Sequence, residues 1–149
     1  MKSLLFTLLF AAFGLFAFLP TAKKPASPID GAWELYSTEK GGKTTFAKKP
    51  SQIKVYHDGY FCMMSYDSTG KFSYAGAGTY ELDGNLYKET FTYDTWKEGI
   101  GGSLWFDWEM KDDTLLFYGY KKILLADGTD KTKDWGGNSF IEKKVRVKK

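Results

Sequence analysis

Nucleophilic catalysis needs an activated Ser, Thr or Cys with a base in reach, and general acid–base catalysis draws on His or on two carboxylates held in different environments. This chain supplies few such groups. His57 is its only histidine and Cys62 its only cysteine. His57 leads into the turn signal His57-Asp58-Gly59-Tyr60, where a side chain facing solvent or bonding Asp58 is expected. A sole histidine could ligate a haem at a barrel mouth, but no second ligand or pocket motif accompanies it. Cys62 stands among Phe61, Met63 and Met64, surroundings that raise a thiol's pKa and silence it, so it is expected as a core filler. Asp107 and Glu109 lie two apart on one strand face, and Glu81 and Glu89 on successive strands. Paired carboxylates of this kind could serve a glycosidase or form an ordinary charged face. The Asp-rich turns lack EF-hand spacing, and no Gly-rich loop follows a strand and opens a helix. The reading is therefore of a non-enzymatic protein with no catalytic residues, metal or cofactor.

The elements that would position these groups follow from size and composition. The chain has 149 residues with a formal net charge of +3. That surplus is too small and too scattered, in pairs such as Lys48-Lys49 and Lys121-Lys122, to make a nucleic-acid-binding face. Aromatic residues make up 18% of the chain, enough to bury a substantial core in one domain. A lone cysteine excludes a disulfide scaffold.

Met1-Lys2-Ser3 followed by the apolar run Leu4 to Leu19 has the form of a signal peptide, expected to occupy residues 1–22. As a helix that run spans about 24 Å, short of the roughly 30 Å hydrocarbon layer, so no membrane span is expected after its removal. Export to the periplasm or out of the cell is the expectation. Residues 23–29, with Lys23, Lys24, Pro25 and Pro28, read as a linker, and residues 30–149 as the domain.

Within the domain, short runs of β-branched and aromatic residues alternate with turn signals, and no sustained helical stripe occurs. Strands are expected at Ala32–Ser37, Gln52–His57, Tyr60–Tyr66, Lys71–Leu82, Leu86–Asp94, Ser103–Met110, Thr114–Lys122 and Ser139–Val147. The links, among them Asp58-Gly59, Asp83-Gly84-Asn85 and Asp112-Asp113, are short and suit antiparallel hairpins. An all-β up-and-down meander of about eight to ten strands results, and closure into a barrel removes its unpaired edges. Tyr87, Glu89, Phe91 and Tyr93 are expected on one face of their strand, and Leu104, Phe106, Trp108 and Met110 on one face of theirs. Gly76 and Gly78 mark a sharp bend or a close backbone approach.

Gly31-Ala32-Trp33 at the opening of the first strand resembles the Gly-x-Trp start of lipocalin-like barrels of the calycin superfamily. His57-Asp58-Gly59-Tyr60-Phe61, Tyr66-Asp67-Ser68-Thr69-Gly70-Lys71-Phe72 and the stretch from Gly76 to Tyr87 resemble pieces of small exported bacterial lipocalin-like proteins. In those the pieces run approximately Asp-Gly-x-Phe, Tyr-Asp-x-x-x-Gly-Lys and a glycine-rich Gly-Thr-Tyr hairpin. The likeness covers about Gly31 to Tyr93. It implies a barrel and a structural latch in which Arg146, the only arginine, stacks on Trp33 to close one end. A guanidinium can lie flat on an indole while its edge donates hydrogen bonds, a contact worth about 0.5–2 kcal/mol. The alternative is a solvated arginine among Lys143, Lys144, Lys148 and Lys149.

Counting alternate residues from Trp33 gives Leu35, Val55, Phe61, Met63, Tyr80, Phe91, Phe106, Trp108 and Phe117 as interior candidates. They could line a cavity for a small apolar or amphipathic molecule, or fill an eight-stranded barrel completely. A filled barrel would be an envelope or secreted interaction module whose function lies on its surface or rim, for instance at Tyr118, Tyr120 and Trp135-Gly136-Gly137.

Overall fold

The computed structural model describes residues 26–135 and 140–148. The expected signal peptide, the start of the linker, Gly136, Gly137 and Ser139 lie outside them. Nine strands appear among the described residues: β1 Gly31–Lys40, β2 Lys43–Phe46, β3 Gln52–His57, β4 Tyr60–Tyr66, β5 Phe72–Asp83, β6 Leu86–Asp94, β7 Ser103–Lys111, β8 Thr114–Leu124 and β9 Phe140–Arg146. A single short helical turn, Lys97–Gly99, sits between β6 and β7. From β3 to β9 each strand pairs antiparallel with the next, and β1 pairs with both β3 and β9. The meander is thus closed into an eight-stranded barrel.

β2 was not expected as a strand. β1 runs three residues past the anticipated Ser37, then reverses through Gly41 and Gly42, both at positive φ. The fully exposed β2 folds back on the far half of β1, leaving the near half of β1 to pair with β3. The other hairpins follow their turn residues, as at Asp58 (φ 48°) and Gly59 (φ 82°) between β3 and β4.

Closure needs strong local bending, which Gly78 supplies. The register slips between Ala77 and Gly78, and a Cβ at Gly78 would collide with the Thr90 carbonyl oxygen of β6. Opposite that slip Thr92 is left without a pairing partner, so the alternation of β6 shifts by one. Tyr93, expected inside with Phe91, is turned out to solvent, and Asp94 takes the inward position.

One end of the barrel is packed solid. Trp33, Tyr56, Tyr80, Tyr87, Leu115 and Phe61 form its core, with Tyr56 edge-on to Tyr80 at 5.2 Å. Ile29 is fully buried beneath Trp33 and its carbonyl accepts the indole N–H at 2.7 Å. The expected linker therefore ends sooner than residue 29, because Ile29 already packs. The Arg146 guanidinium carbon lies 4.2 Å from the Trp33 ring centroid. Its Nη1 donates to the Asp30 carbonyl at 2.8 Å and its Nε faces Asp113 Oδ1 at 3.3 Å. Gly31 makes this stacking feasible, since a Cβ there would stand 2.6 Å from Nη1.

Candidate functional site

The half of the barrel away from Trp33 and Arg146 is hollow, with a cavity of about 460 Å3. Strand direction orders its walls by depth. β6 climbs from the packed end through Tyr87, Glu89 and Phe91 to Asp94, while β3 and β9 descend from Gln52 to Lys54 and from Glu142 to Lys144.

The floor is charged. Lys54 and Glu89 form a salt bridge with both side chains less than 10% exposed, and Tyr87 Oη donates to Glu89 Oε2 at 2.6 Å. Lys144 lies 2.8 Å from Glu142 and also donates to Gln52 Oε1. Burial depresses the Lys54 pKa below its ordinary value, and Glu89 only partly offsets that. Burial alone would raise Glu142, but the adjacent Lys144 ammonium outweighs it and holds the carboxyl below its ordinary range. Tyr56 and Tyr87 beneath this layer are pushed well above the phenol value, first by burial and then by the Glu89 charge.

Above the floor the wall turns apolar, with Met63, Phe91, Leu104, Phe106, Phe117 and Ile123. The mouth is aromatic and polar. Trp96 and Trp135 meet with ring centroids 5.4 Å apart, and Tyr120 stands edge-on to Trp135 at 5.8 Å. Tyr74 Oη donates to Asp94 Oδ2 at 3.0 Å. Burial and that carboxylate raise the Tyr74 pKa, and burial followed by Glu142 raises that of Tyr120.

Of the nine interior candidates, Met63, Phe91, Phe106 and Phe117 line the cavity. Phe61 and Tyr80 pack beneath it, and Trp108 packs at the edge of the core with its indole N–H on the Gly84 carbonyl at 3.1 Å. Leu35 lies opposite Lys144 but belongs neither to the lining nor to the core cluster. Val55 is a correction. It pairs with Ala32 and Cys62, whereas Lys54 pairs with Trp33, so Lys54 faces in and Val55 out. The same alternation corrects Cys62, which is exposed and not a core filler. The candidate carboxylates each take a different partner. Asp107 bonds Lys121 at 2.8 Å, Glu109 accepts from Tyr118, Glu81 faces outward with Lys88, and Glu89 faces inward with Lys54.

Sequence reasoning missed Lys54, Gln52, Glu142, Lys144, Tyr74 and Asp94. One signal for the floor was present: Glu89 sits between Tyr87 and Phe91 on an inward face, and a buried carboxylate requires a buried cation. Lys54, two residues from Tyr56 on β3, meets that requirement across the barrel interior. Asp94 depends on the slip opposite Gly78, which residue types alone do not specify.

An antiparallel meander closed at eight strands, sealed at one end by an arginine on a first-strand tryptophan and hollow at the other, is a lipocalin-like fold. The chain is similar to a lipocalin-like protein from Bacteroides uniformis, with a TM-score of 0.55 and 13% identity over 81% of this chain and 100% of that one. An uncharacterized protein from Bacteroides eggerthii matches with a TM-score of 0.49 and 14% identity, over 80% and 99% of the two chains. No protein-family model and no curated protein matches the sequence. Among the described residues no helix is long and apolar enough to cross a membrane.

Proposed function

We propose that this is an exported binding protein that holds a small amphipathic molecule in the open half of its barrel and performs no catalysis on it. The observation that carries the reading is the 460 Å3 cavity with an apolar wall over a polar floor. Ligand pockets commonly enclose about 300–1,000 Å3, with a few polar groups set in a mostly apolar surface. The wall supplies affinity at about 25 cal/mol per Å2 buried, and the polar groups of the floor and mouth supply orientation by offering hydrogen bonds to the guest's polar end. A barrel packed only for stability would gain little from the Lys54–Glu89 pair, since buried ion pairs seldom outperform apolar residues of the same volume. Export rests on the charged start and sixteen-residue apolar run of Met1 to Leu19.

Titration of the purified protein with a fluorescent lipophilic probe tests the reading. Saturable uptake at one probe per chain is expected, with at least about tenfold weaker uptake by Met63→Trp, whose indole would occupy the cavity; tenfold is 1.4 kcal/mol. Absence of saturable uptake would refute the binding function.

A further inference from the structure

The cavity's charges do not cancel. Its lining holds two cations, Lys54 and Lys144, and three anions, Glu89, Glu142 and Asp94. Lys54 is paired with Glu89 and Lys144 with Glu142, whereas Asp94 has no cation within 4.0 Å among the described residues. Among the described residues its carboxylate accepts from two neutral donors, the Tyr74 hydroxyl on Oδ2 at 3.0 Å and the Trp96 backbone N–H on Oδ1 at 2.7 Å. A carboxylate offers about four lone-pair sites, so acceptor capacity remains on both oxygens.

We propose that the bound molecule is an organic cation, with Asp94 at the mouth as its counter-ion and specificity determinant. The proposal rests on the cavity being a binding site and adds the charge of the guest. A protonated amine placed at Asp94 would neutralise the one unmatched charge of the lining. The indoles of Trp96 and Trp135 and the ring of Tyr120 border the same mouth, and aromatic faces attract cations. The guest's apolar body would then lie against Phe91 and Phe106. An anionic guest meets the opposite situation. Its negative group would be repelled by Asp94, and reaching Lys54 or Lys144 would mean displacing Glu89 or Glu142 and leaving a carboxylate unpaired inside the barrel.

Three probes with one apolar body separate this inference from the reading beneath it: naphthylethylamine, naphthylethanol and naphthylacetate, titrated by calorimetry into the purified protein. The amine is expected to bind about tenfold or more tighter than the alcohol, a difference of 1.4 kcal/mol, and the acid weakest. Asp94→Asn keeps the acceptor for the Trp96 N–H and is expected to erase the amine's advantage over the alcohol, and a cooperative thermal unfolding transition shows that the variant is folded. If the amine keeps its advantage in Asp94→Asn, or the acid binds tightest, the cation assignment is wrong and the cavity reading survives. If none of the three binds, both fall.

Discussion

Among single residues, the latch and the floor carry opposite lessons about charge. Arg146 lies flat on Trp33 and bonds Asp30 and Asp113 from its edge, a geometry an ammonium cannot reproduce. Arg146→Lys is expected to lower stability by about 1–2 kcal/mol in chemical denaturation. Gly31→Ala would push its new methyl into the guanidinium. The two substitutions should therefore be non-additive, with a coupling of about 0.5–3 kcal/mol in a double-mutant cycle. Strict additivity would mean the guanidinium does not need the space above Gly31. The floor behaves differently. Glu89→Gln strands Lys54, whose ammonium is already disfavoured by burial, and should cost about 3–5 kcal/mol. Replacing both partners, Lys54→Met with Glu89→Leu, should restore most of that loss while weakening uptake of polar-headed probes. A double variant as unstable as Glu89→Gln would show that the pair serves the fold and not the guest.

At the level of elements, the slip at Gly78 lets β5 and β6 approach closely. A methyl at Gly78 would run into the backbone of β6, the Thr90 carbonyl and Phe91 Cα, whereas a methyl at Gly84 meets nothing within 4 Å and suffers only from the positive φ of 57°. Gly78→Ala should therefore lower the denaturation midpoint far more than Gly84→Ala, whose cost is about 1 kcal/mol. Equal losses would remove close strand approach from this account. The elements are also where the sequence was most and least readable. Strand positions were legible because Asp58-Gly59, Asp83-Gly84 and Asp112-Asp113 mark the hairpins in residue types that tolerate their backbone angles. Facing was legible only where alternation ran unbroken, as from Tyr87 to Phe91. It failed at Tyr93, beyond the slip opposite Gly78, and at Val55, where the apolar residue faces out and Lys54 faces in. A lysine turned inward is intelligible only with Glu89 facing it, and that contact is made across the barrel interior between two strands that are not neighbours in the sheet, so neither strand's own pattern shows it. Cys62 failed for a simpler reason: with Phe61 and Met63 inside, the residue between them must be outside.

For the whole molecule, the sequence left a filled barrel and a hollow one equally open, and the protein divides them by height: solid rings at the Trp33 end, a cavity at the Asp94 end. This arrangement concentrates phenols in the dry half, with consequences for pH. Tyr56 and Tyr87 have folded pKa values above the unfolded value of 10.0, so the stability they contribute is complete below pH 10 and is lost as pH rises through their folded values. Lys54 acts in the opposite sense, its lowered value adding stability with rising pH only up to 10.5. Above that, the two fully buried tyrosines should together remove about 2.7 kcal/mol per pH unit. Unfolding should therefore accompany ionisation of Tyr56 and Tyr87, read as the absorbance change lost in their Phe variants, in one cooperative alkaline transition, and ionisation of these two phenols in a still-folded barrel would contradict the burial described. At the acid end, Glu142 gives stability that is present above its unfolded value of 4.5 and lost as pH falls through its lowered folded value.

The central claim is that the upper half of the barrel encloses a ligand-sized cavity above an ionic floor. A crystal structure of the protein grown with naphthylethanol tests it most directly. The account predicts the probe's rings between Phe91, Phe106 and Tyr120, with its hydroxyl within hydrogen-bond reach of a floor or mouth side chain. A space closed by the protein's own side chains, with the probe absent or seated only on the outer face of the sheet, would contradict it.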